Sequence, residues 1–169
     1  MLPSRELYQL EACAACARRR PASVYLDPGT MRDVELVHGY MKQFPQHILE
    51  SIRNEREVSL TTYGRKTGKP STVTIWVVTD GNKVYIRSGQ GMRRHWPKNL
   101  QARPEGLMQL DRKVVRFRSR HITDASEARH SSKLYGPKYG LSSPVKPSNI
   151  GDPLTLGEQA VFELLPADA

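Results

Sequence analysis

The stretch 57–88 constrains the fold more than any other part of the chain, because its apolar residues recur at every second position. Val58 and Leu60 share one face of a first run. Two further runs continue the alternation with Val73, Ile75, Val77, Val84 and Ile86. A period of two indicates β-strands with one buried face. The dipeptide Asp80-Gly81, between the second and third runs, favours a tight hairpin because Gly accepts positive φ. The stretch therefore predicts three antiparallel strands joined by turns.

The turn between the first two strands is a basic loop flanked by glycines. Its sequence is Gly64-Arg65-Lys66-Thr67-Gly68, followed by Lys69-Pro70. The glycines allow a tight turn that presents backbone N–H groups, and the two cations and the hydroxyl supply hydrogen bonds that suit a phosphate. A solvated hairpin connection explains the same spacing equally well. The residues alone leave both interpretations open.

A second basic loop, residues 89–94, follows the third strand and leads into a predicted short helix over residues 96–102. Glycine amides and a helix N-terminus converge there, which favours an anion among Gly91, Arg94, His95, Trp96 and Asn99. Trp96 has a simpler interpretation as an aromatic residue of the core.

Periodicity and turn residues also predict the remaining elements. They are an amphipathic helix over 42–55, a hairpin of strands 106–110 and 113–121, a helix over 124–134 capped by Asp124 or Ser126, a turn over 135–140, and a closing strand over 159–165 with Phe162 and Leu164 inward. Six short strands with a few small helices predict a mainly β protein, built as a six-stranded antiparallel β-barrel with short flanking helices.

The charge of the chain indicates an anionic partner. Its 26 Lys and Arg against 17 Asp and Glu give a formal net charge of +9. Nucleic acid, a phosphorylated cofactor and a membrane surface all fit such a charge. Arg116, Arg118 and Arg120 line one face of a predicted strand, as a nucleic-acid site would require, but only 7% of the residues are aromatic and available for stacking. Nucleic acid therefore ranks behind a phosphorylated cofactor.

Other patterns argue against several protein classes. No apolar run approaches the roughly 20 residues that cross a bilayer, which predicts a soluble, cytoplasmic protein without a membrane partner. Cys13 and Cys16 are the only cysteines, so a disulfide framework is excluded, and no second pair completes a metal site. Since no Ser-His-Asp signature or carboxylate pair stands out, hydrolase chemistry is a poor interpretation.

Residues 1–38 are predicted to be a loosely ordered leader, and residues 39–169 to form the folded domain. The apolar piece 12–17 is shorter than the core of a signal peptide and precedes the arginines at 18–20 instead of following them. Better patterned sequence begins near Met31 and Met41, and the native domain is expected to start at one of them.

Residues 60–70, 84–91 and 96–100, with the C-terminal strand, resemble the flavin-binding split β-barrels related to pyridoxamine-phosphate oxidase, and among them the deazaflavin-dependent nitroreductase-like proteins. The resemblance implies a split barrel whose first basic loop holds the cofactor phosphate. It assigns cofactor contacts to Gly64, Arg65, Lys66, Thr67 and Gly68, and to Arg87, Ser88, Gly91, Arg94, Trp96 and Asn99. Ser71 and the pair Ile75-Trp76 depart from the pattern, which leaves both FMN and a deazaflavin open as the cofactor.

The resemblance also implies a function. The cofactor would carry hydride to a small acceptor such as a quinone or a nitro compound, and two chains would form a homodimer. Tyr139, with Tyr135 second, is predicted to overhang the barrel mouth and to donate a hydrogen bond or proton to the acceptor. The competing interpretation of Tyr139 is a surface tyrosine that caps the barrel. A non-catalytic flavin- or haem-binding storage protein of the same fold is the alternative function, and a nucleic-acid-binding barrel is a distant one.

Overall fold

The computed structural model describes residues 43–140 and 145–167. The predicted leader, its two cysteines and the two candidate starting methionines lie outside these residues, so the predictions about them stay predictions. No helix in the described ranges combines the length and the apolar character that a bilayer crossing needs.

Six antiparallel strands form a closed barrel in the order β1-β2-β3-β6-β5-β4. The strands are β1 (Glu57–Tyr63), β2 (Pro70–Thr79), β3 (Val84–Arg87), β4 (Glu105–Leu110), β5 (Lys113–His121) and β6 (Val161–Pro166). The predicted fold class, a mainly β protein with a six-stranded antiparallel barrel, is confirmed. Alternation in the sequence becomes alternation in the structure: Val58 and Leu60 are buried, and Glu57 is exposed.

Four α-helices lie outside the barrel wall. They are α1 (Gln46–Asn54), α2 (His95–Ala102), α3 (Ala125–Lys133) and α4 (Tyr135–Tyr139), and 3₁₀ turns cover Gly91–Arg93 and Glu158–Ala160. Of the two predicted capping residues of α3, Asp124 is the cap, and its carboxylate accepts the N–H of Glu127 at 2.8 Å. Helix α1 begins four residues later than predicted, directly after Pro45.

The prediction of a turn over residues 135–140 was wrong, because residues 135–139 form the short helix α4. Gly136 and Pro137 are poor helix formers, but Tyr135 and Tyr139 are one helical turn apart and both are buried. Packing of these two rings outweighs the weak local propensity. Gly140, at φ +82°, ends the helix as the turn signal implied.

Two apolar clusters form the core. The larger one fills the barrel and is closed by α1 and α2; it includes Ile52, Leu60, Val77, Leu100, Met108, Phe117 and Phe162. The smaller one packs α3 and α4 against the outside of the wall and includes Val78, Tyr85, Ile122, Ala128, Tyr135 and Tyr139. Phe162 and Leu164 are both buried, as the closing strand predicted.

Strand β2 changes partners along its length. Residues 70–76 pair with β1, whereas β3 pairs only with residues 77–79. The β3-side edge of the first half of β2 therefore has no strand partner in the described part of the chain. This open edge lies between the basic loop that precedes β2 and the end of β3.

Candidate cofactor site

The basic loop between β1 and β2 is closed by its own hydrogen bonds. The N–H of Gly64 donates to the carbonyl of Lys69 at 2.9 Å, and the N–H of Gly68 donates to the carbonyl of Gly64 at 2.7 Å. Gly68 has φ +69°, and a Cβ on Gly64 would stand 2.7 Å from the Thr67 hydroxyl oxygen. The two glycines shape the loop, and their amides are not free for an anion.

Free donors remain at the tip of the loop. The backbone N–H groups of Lys66 and Thr67 have no hydrogen-bond acceptor in the described ranges. The Thr67 oxygen accepts the N–H of Lys69 at 3.3 Å, so its own hydrogen remains available to donate. All three residues from Arg65 to Thr67 are exposed. The exposed tip of the loop therefore carries two amides, one hydroxyl and two cations that are available to a ligand.

The side chain of Asn99 links this loop to β1 through two hydrogen bonds. Its side-chain carbonyl accepts the N–H of Arg65 at 3.2 Å, and its amide donates to the Thr62 hydroxyl at 3.3 Å. Asn99 is buried at 4% exposure and lies on α2. The predicted contact of Asn99 with the cofactor stays a prediction, and the hydrogen bonds give Asn99 a positioning role for the loop.

The cations of the basic loop are not neutralised by nearby carboxylates among the described residues. No carboxylate lies within ion-pair distance of Arg65, Lys66 or Lys69 in the part of the chain that the structure describes. The guanidinium of Arg103 approaches Gly68 from the other side, 3.7 Å from where a Cβ would stand. An anion bound here would meet several unpaired cations.

Two adjoining clefts surround the loop and the open edge of β2. The loop cleft, of about 350 Å³, is lined by Gly64, Arg65, Lys66, Thr67, Lys69, Pro70, Ser71, His95 and Asn99. The strand cleft, of about 580 Å³, is lined by Ser71, Val73, Thr74, Ile75, Trp76, Arg87, Ser88, Gly89, Gln90, Arg94, His95, Trp96, Tyr135 and Val145. Ser71 and His95 line both, so the two clefts meet at these residues.

The resemblance placed Arg87 and Ser88 beside the basic loop; in the structure they line the strand cleft and not the loop cleft. The reason is the length of β2: β3 pairs only with its far end, which carries Arg87 away from the loop. Arg87 donates from Nη1 to the Ser132 hydroxyl at 3.0 Å, and its guanidinium lies 5.9 Å from the ring centroid of Tyr135. Burial lowers the pKa of this guanidinium, while Tyr135 and Glu158 act in the opposite direction.

The other predicted contacts divide between the clefts and the core. Arg94 and Trp96 line the strand cleft, and Trp96 is also a core residue at 7% exposure, 5.9 Å from the ring of Phe162. Gly91 lines neither cleft: its N–H donates to the Ser88 carbonyl, and a Cβ would stand 2.7 Å from the carbonyl oxygen of Leu156. Gly91 therefore serves close packing.

Tyr139 does not overhang a barrel mouth, because its ring is buried at 5% exposure. Its hydroxyl accepts the N–H of Val77 at 3.1 Å and lies 2.7 Å from the carbonyl of Arg56. Burial raises the pKa of this phenol to about 12. The competing interpretation, a surface tyrosine that caps the barrel, is also wrong because the ring is buried. The predicted catalytic role of Tyr139 stays a prediction.

Sequence reasoning missed Trp76 as a wall of the strand cleft. Its ring stacks on Tyr139 with 4.1 Å between centroids and 7° between planes, and its indole N–H donates to Glu57 at 3.3 Å. The available signal was an aromatic side chain on the outward face of β2, between the inward Ile75 and Val77.

The described residues define a mainly β protein: a closed six-stranded antiparallel barrel with short helices and two adjoining clefts. Residues 48–153 match the family DUF2255, described as an uncharacterized protein conserved in bacteria. The match spans more than half of the chain, and the chain belongs to this family.

Solved structures with the same fold belong to bacterial proteins that are described with different functions. A candidate 5-nitroimidazole antibiotic resistance protein from Bacteroides thetaiotaomicron is 15% identical, with a TM-score of 0.51 over 74% of this chain and 81% of that one. HutZ, the haem storage protein of Vibrio cholerae, is 16% identical, with a TM-score of 0.52 over 75% and 92%. A candidate pyridoxamine 5′-phosphate oxidase from Listeria innocua is 11% identical, with a TM-score of 0.51 over 72% and 92%. These likenesses show the shared fold.

Proposed function

We propose that this protein is an oxidoreductase that holds a phosphorylated flavin-type cofactor, FMN or a deazaflavin, for hydride transfer to a small acceptor such as a quinone or a nitro compound. One observation carries the proposal. The basic loop offers unpaired amides, a hydroxyl donor and uncompensated cations beside a cleft at the open edge of β2.

The donor set fits the phosphate of such a cofactor. Arg65 and Lys66 would supply charge-assisted hydrogen bonds, and the amides of Lys66 and Thr67 with the Thr67 hydroxyl would supply neutral ones. Because Asn99 holds the Arg65 amide from below, the tip of the loop is positioned before any ligand arrives. The loop therefore loses little conformational entropy when an anion binds.

The strand cleft fits the ring of the cofactor and a small acceptor. Its volume of about 580 Å³ lies within the range of small-molecule sites, and Trp76 and Trp96 give it an aromatic wall. A bound flavin-type ring would accept and donate hydride, which no side chain can do. The residues of the chain would bind the phosphate, orient the ring and exclude water from it.

A non-catalytic storage protein is the second candidate. It is favoured by the positions of the two predicted tyrosines. The hydroxyl of Tyr139 is engaged by the backbone, and the unpartnered hydroxyl of Tyr135 is buried in the wall of the strand cleft. HutZ, which has the same fold, is described as a haem storage protein. The homodimer and the cytoplasmic location belong to the proposal as expectations.

The phosphate site is tested by replacing Arg65 and Lys66 together with Ala. The double variant should lose most of the flavin-type cofactor that co-purifies with the protein, because the bound phosphate would lose both charged partners. Its thermal unfolding should equal that of the wild type when both are compared free of cofactor, because exposed, unpaired cations contribute little to stability. Mass spectrometry identifies the cofactor and visible absorbance gives its stoichiometry.

The matched control removes two exposed arginines from β5, Arg116 and Arg118, which line neither cleft. This control should retain the cofactor. Equal retention by both double variants would contradict the phosphate site. Adding a reductant and then a quinone separates the two candidate functions, since bleaching followed by recovery of the visible band is expected only of the oxidoreductase.

A further inference from the structure

Three residues that line the strand cleft each carry a buried polar atom without a hydrogen-bond partner in the described part of the chain. In the described part of the chain, four buried side-chain nitrogen or oxygen atoms have no hydrogen-bond partner: Arg87 Nε, Ser88 Oγ, Ser119 Oγ and Tyr135 Oη. All but Ser119 belong to residues that line the strand cleft. Buried polar groups in folded proteins are almost always paired. Such a concentration in one cleft indicates a missing ligand.

The backbone holds these three residues firmly. Arg87 pairs with Val161 of β6, and the N–H of Ser88 donates to the carbonyl of Ala160 at 3.1 Å. Ser88 and Tyr135 are only 3% and 1% exposed. Their hydroxyls are therefore fixed features of the cleft wall and not mobile surface groups.

Arg87 is the only cation among the three residues with buried, unpartnered polar atoms, although Arg94 also lines the strand cleft. No carboxylate lies within ion-pair distance of Arg87 in the described ranges. Glu158 is near enough to raise the pKa of Arg87, but its carboxylate is held by the amides of Ser148 and Thr155. A single guanidinium with two hydroxyl donors suits a monoanion such as a carboxylate better than a phosphate dianion.

The rest of the cleft wall is flat and largely apolar. Trp76 is fixed by its stack on Tyr139, so its free face keeps one orientation. Trp96, Val73 and Ile75 continue the wall toward the loop cleft. A ligand that satisfies both parts of the cleft has a planar body and one anionic end.

We propose that Arg87, Ser88 and Tyr135 recognise the carboxylate of an aromatic or conjugated monocarboxylic acid bound against Trp76 and Trp96. The three residues are thus assigned to a ligand other than the phosphate group that the basic loop binds. If the protein has the function proposed above, the carboxylate belongs to the hydride acceptor. The site then selects anionic acceptors over neutral ones, and this assignment to the acceptor rests on the proposed function.

Benzoate is the probe for this site in the full-length protein. The intrinsic fluorescence reports on the strand cleft, because both tryptophans of the chain line it. Benzoate should change the emission saturably, and neutral benzamide, of the same shape, should bind at least tenfold more weakly. Ser88→Ala and Tyr135→Phe should each weaken benzoate about tenfold, the usual scale for a hydrogen bond to a charged group.

Ser119→Ala is the matched control, since it removes a buried, unpaired hydroxyl from β5, outside the cleft. It should leave benzoate affinity unchanged. Arg65→Ala/Lys66→Ala should also keep benzoate affinity while losing the cofactor, so failure of the phosphate site and failure of the carboxylate site give different results. Absence of a saturable change, equal affinity for benzoate and benzamide, or equal effects of Ser88→Ala and Ser119→Ala would each overturn the proposal.

Discussion

At the scale of single residues, the side chain of Tyr139 bridges two backbone groups just beyond the end of the pairing between β1 and β2. Pairing between β1 and β2 ends where Glu57 meets Trp76. The next positions, Arg56 and Val77, are joined instead through the Tyr139 hydroxyl, which contacts the carbonyl of one and the N–H of the other. The phenol thus prolongs the ladder by one step.

Tyr139→Phe should therefore destabilise the fold. The change leaves the buried N–H of Val77 without an acceptor, a loss on the order of 1–3 kcal/mol of unfolding free energy. Urea unfolding measures the loss. Tyr135→Phe is the comparison, because it removes a hydroxyl that has no hydrogen-bond partner among residues 43–140 and 145–167 and should be neutral or slightly stabilising. If both variants had the same stability, the bridging role of Tyr139 would be wrong.

At the scale of elements, the carboxylate of Glu158 helps to hold the irregular segment 145–157, together with Arg129, which donates to the Ser148 hydroxyl and the Asp152 carbonyl. Glu158 is fully buried and accepts the N–H groups of Ser148 and Thr155, each at 3.0 Å. Burial alone would raise the pKa of Glu158, but these hydrogen bonds outweigh it and lower the pKa to about 2. The hydrogen bonds from Ser148 and Thr155 therefore favour the ionised form of Glu158.

This pKa predicts acid sensitivity with a definite sign. On acidification the unfolded chain takes up the proton near the usual pKa of 4.5, before the folded chain does at about 2. The stability from Glu158 is therefore complete above about pH 4.5 and is lost as the pH falls toward 2. Glu158→Gln should be less stable at pH 7, with a gap that narrows between pH 5 and 3 in urea unfolding. A gap independent of pH would contradict this.

Helix α4 shows what local sequence cannot predict about elements. The strands were predictable because their apolar residues alternate along adjacent positions. The Asp80-Gly81 turn was predictable because its hydrogen bonds are local: Asp80 accepts the amides of Asn82 and Lys83. Residues 135–139 have poor helix formers, and only the distant wall of the barrel makes the helix favourable. No pattern within five residues contains that information.

At the scale of the whole molecule, Lys138 joins three elements. From α4 its ammonium donates to the carbonyl of Ile52 in α1 at 2.6 Å and to that of Val77 in β2 at 2.7 Å. Burial lowers the pKa of Lys138 to about 8, although Glu55 acts in the opposite direction. The folded state thus disfavours the charged form relative to the unfolded chain.

Stability should consequently rise with pH in the alkaline range. Between about pH 8 and the usual lysine pKa of 10.5 the unfolded chain binds more protons at this position than the folded one, so raising the pH favours folding. Urea unfolding at pH 7.5 and 9.5 should show the increase in the wild type and not in Lys138→Met. An equal pH response in both chains would assign the effect to other groups.

The candidate site was predictable in part. The donors of the basic loop are adjacent in sequence, so the loop could be identified from residues 64–68 alone. The separation of Arg87 and Ser88 from that loop depends on how far β3 pairs along β2, which is a property of the assembled sheet. The meeting of Trp76 and Trp96 in one cleft is likewise a property of the assembled fold.

The divided pairing of β2 has a mechanical consequence. A closed barrel resists deformation because each strand is fixed on both edges, but residues 70–76 of β2 pair with β1 alone. This segment can shift outward without breaking any other pair of strands, whereas residues 77–79 cannot. The least constrained edge of the barrel therefore lies along the strand cleft, where Trp76 is held by its ring stack on Tyr139 and its hydrogen bond to Glu57 and not by a second strand.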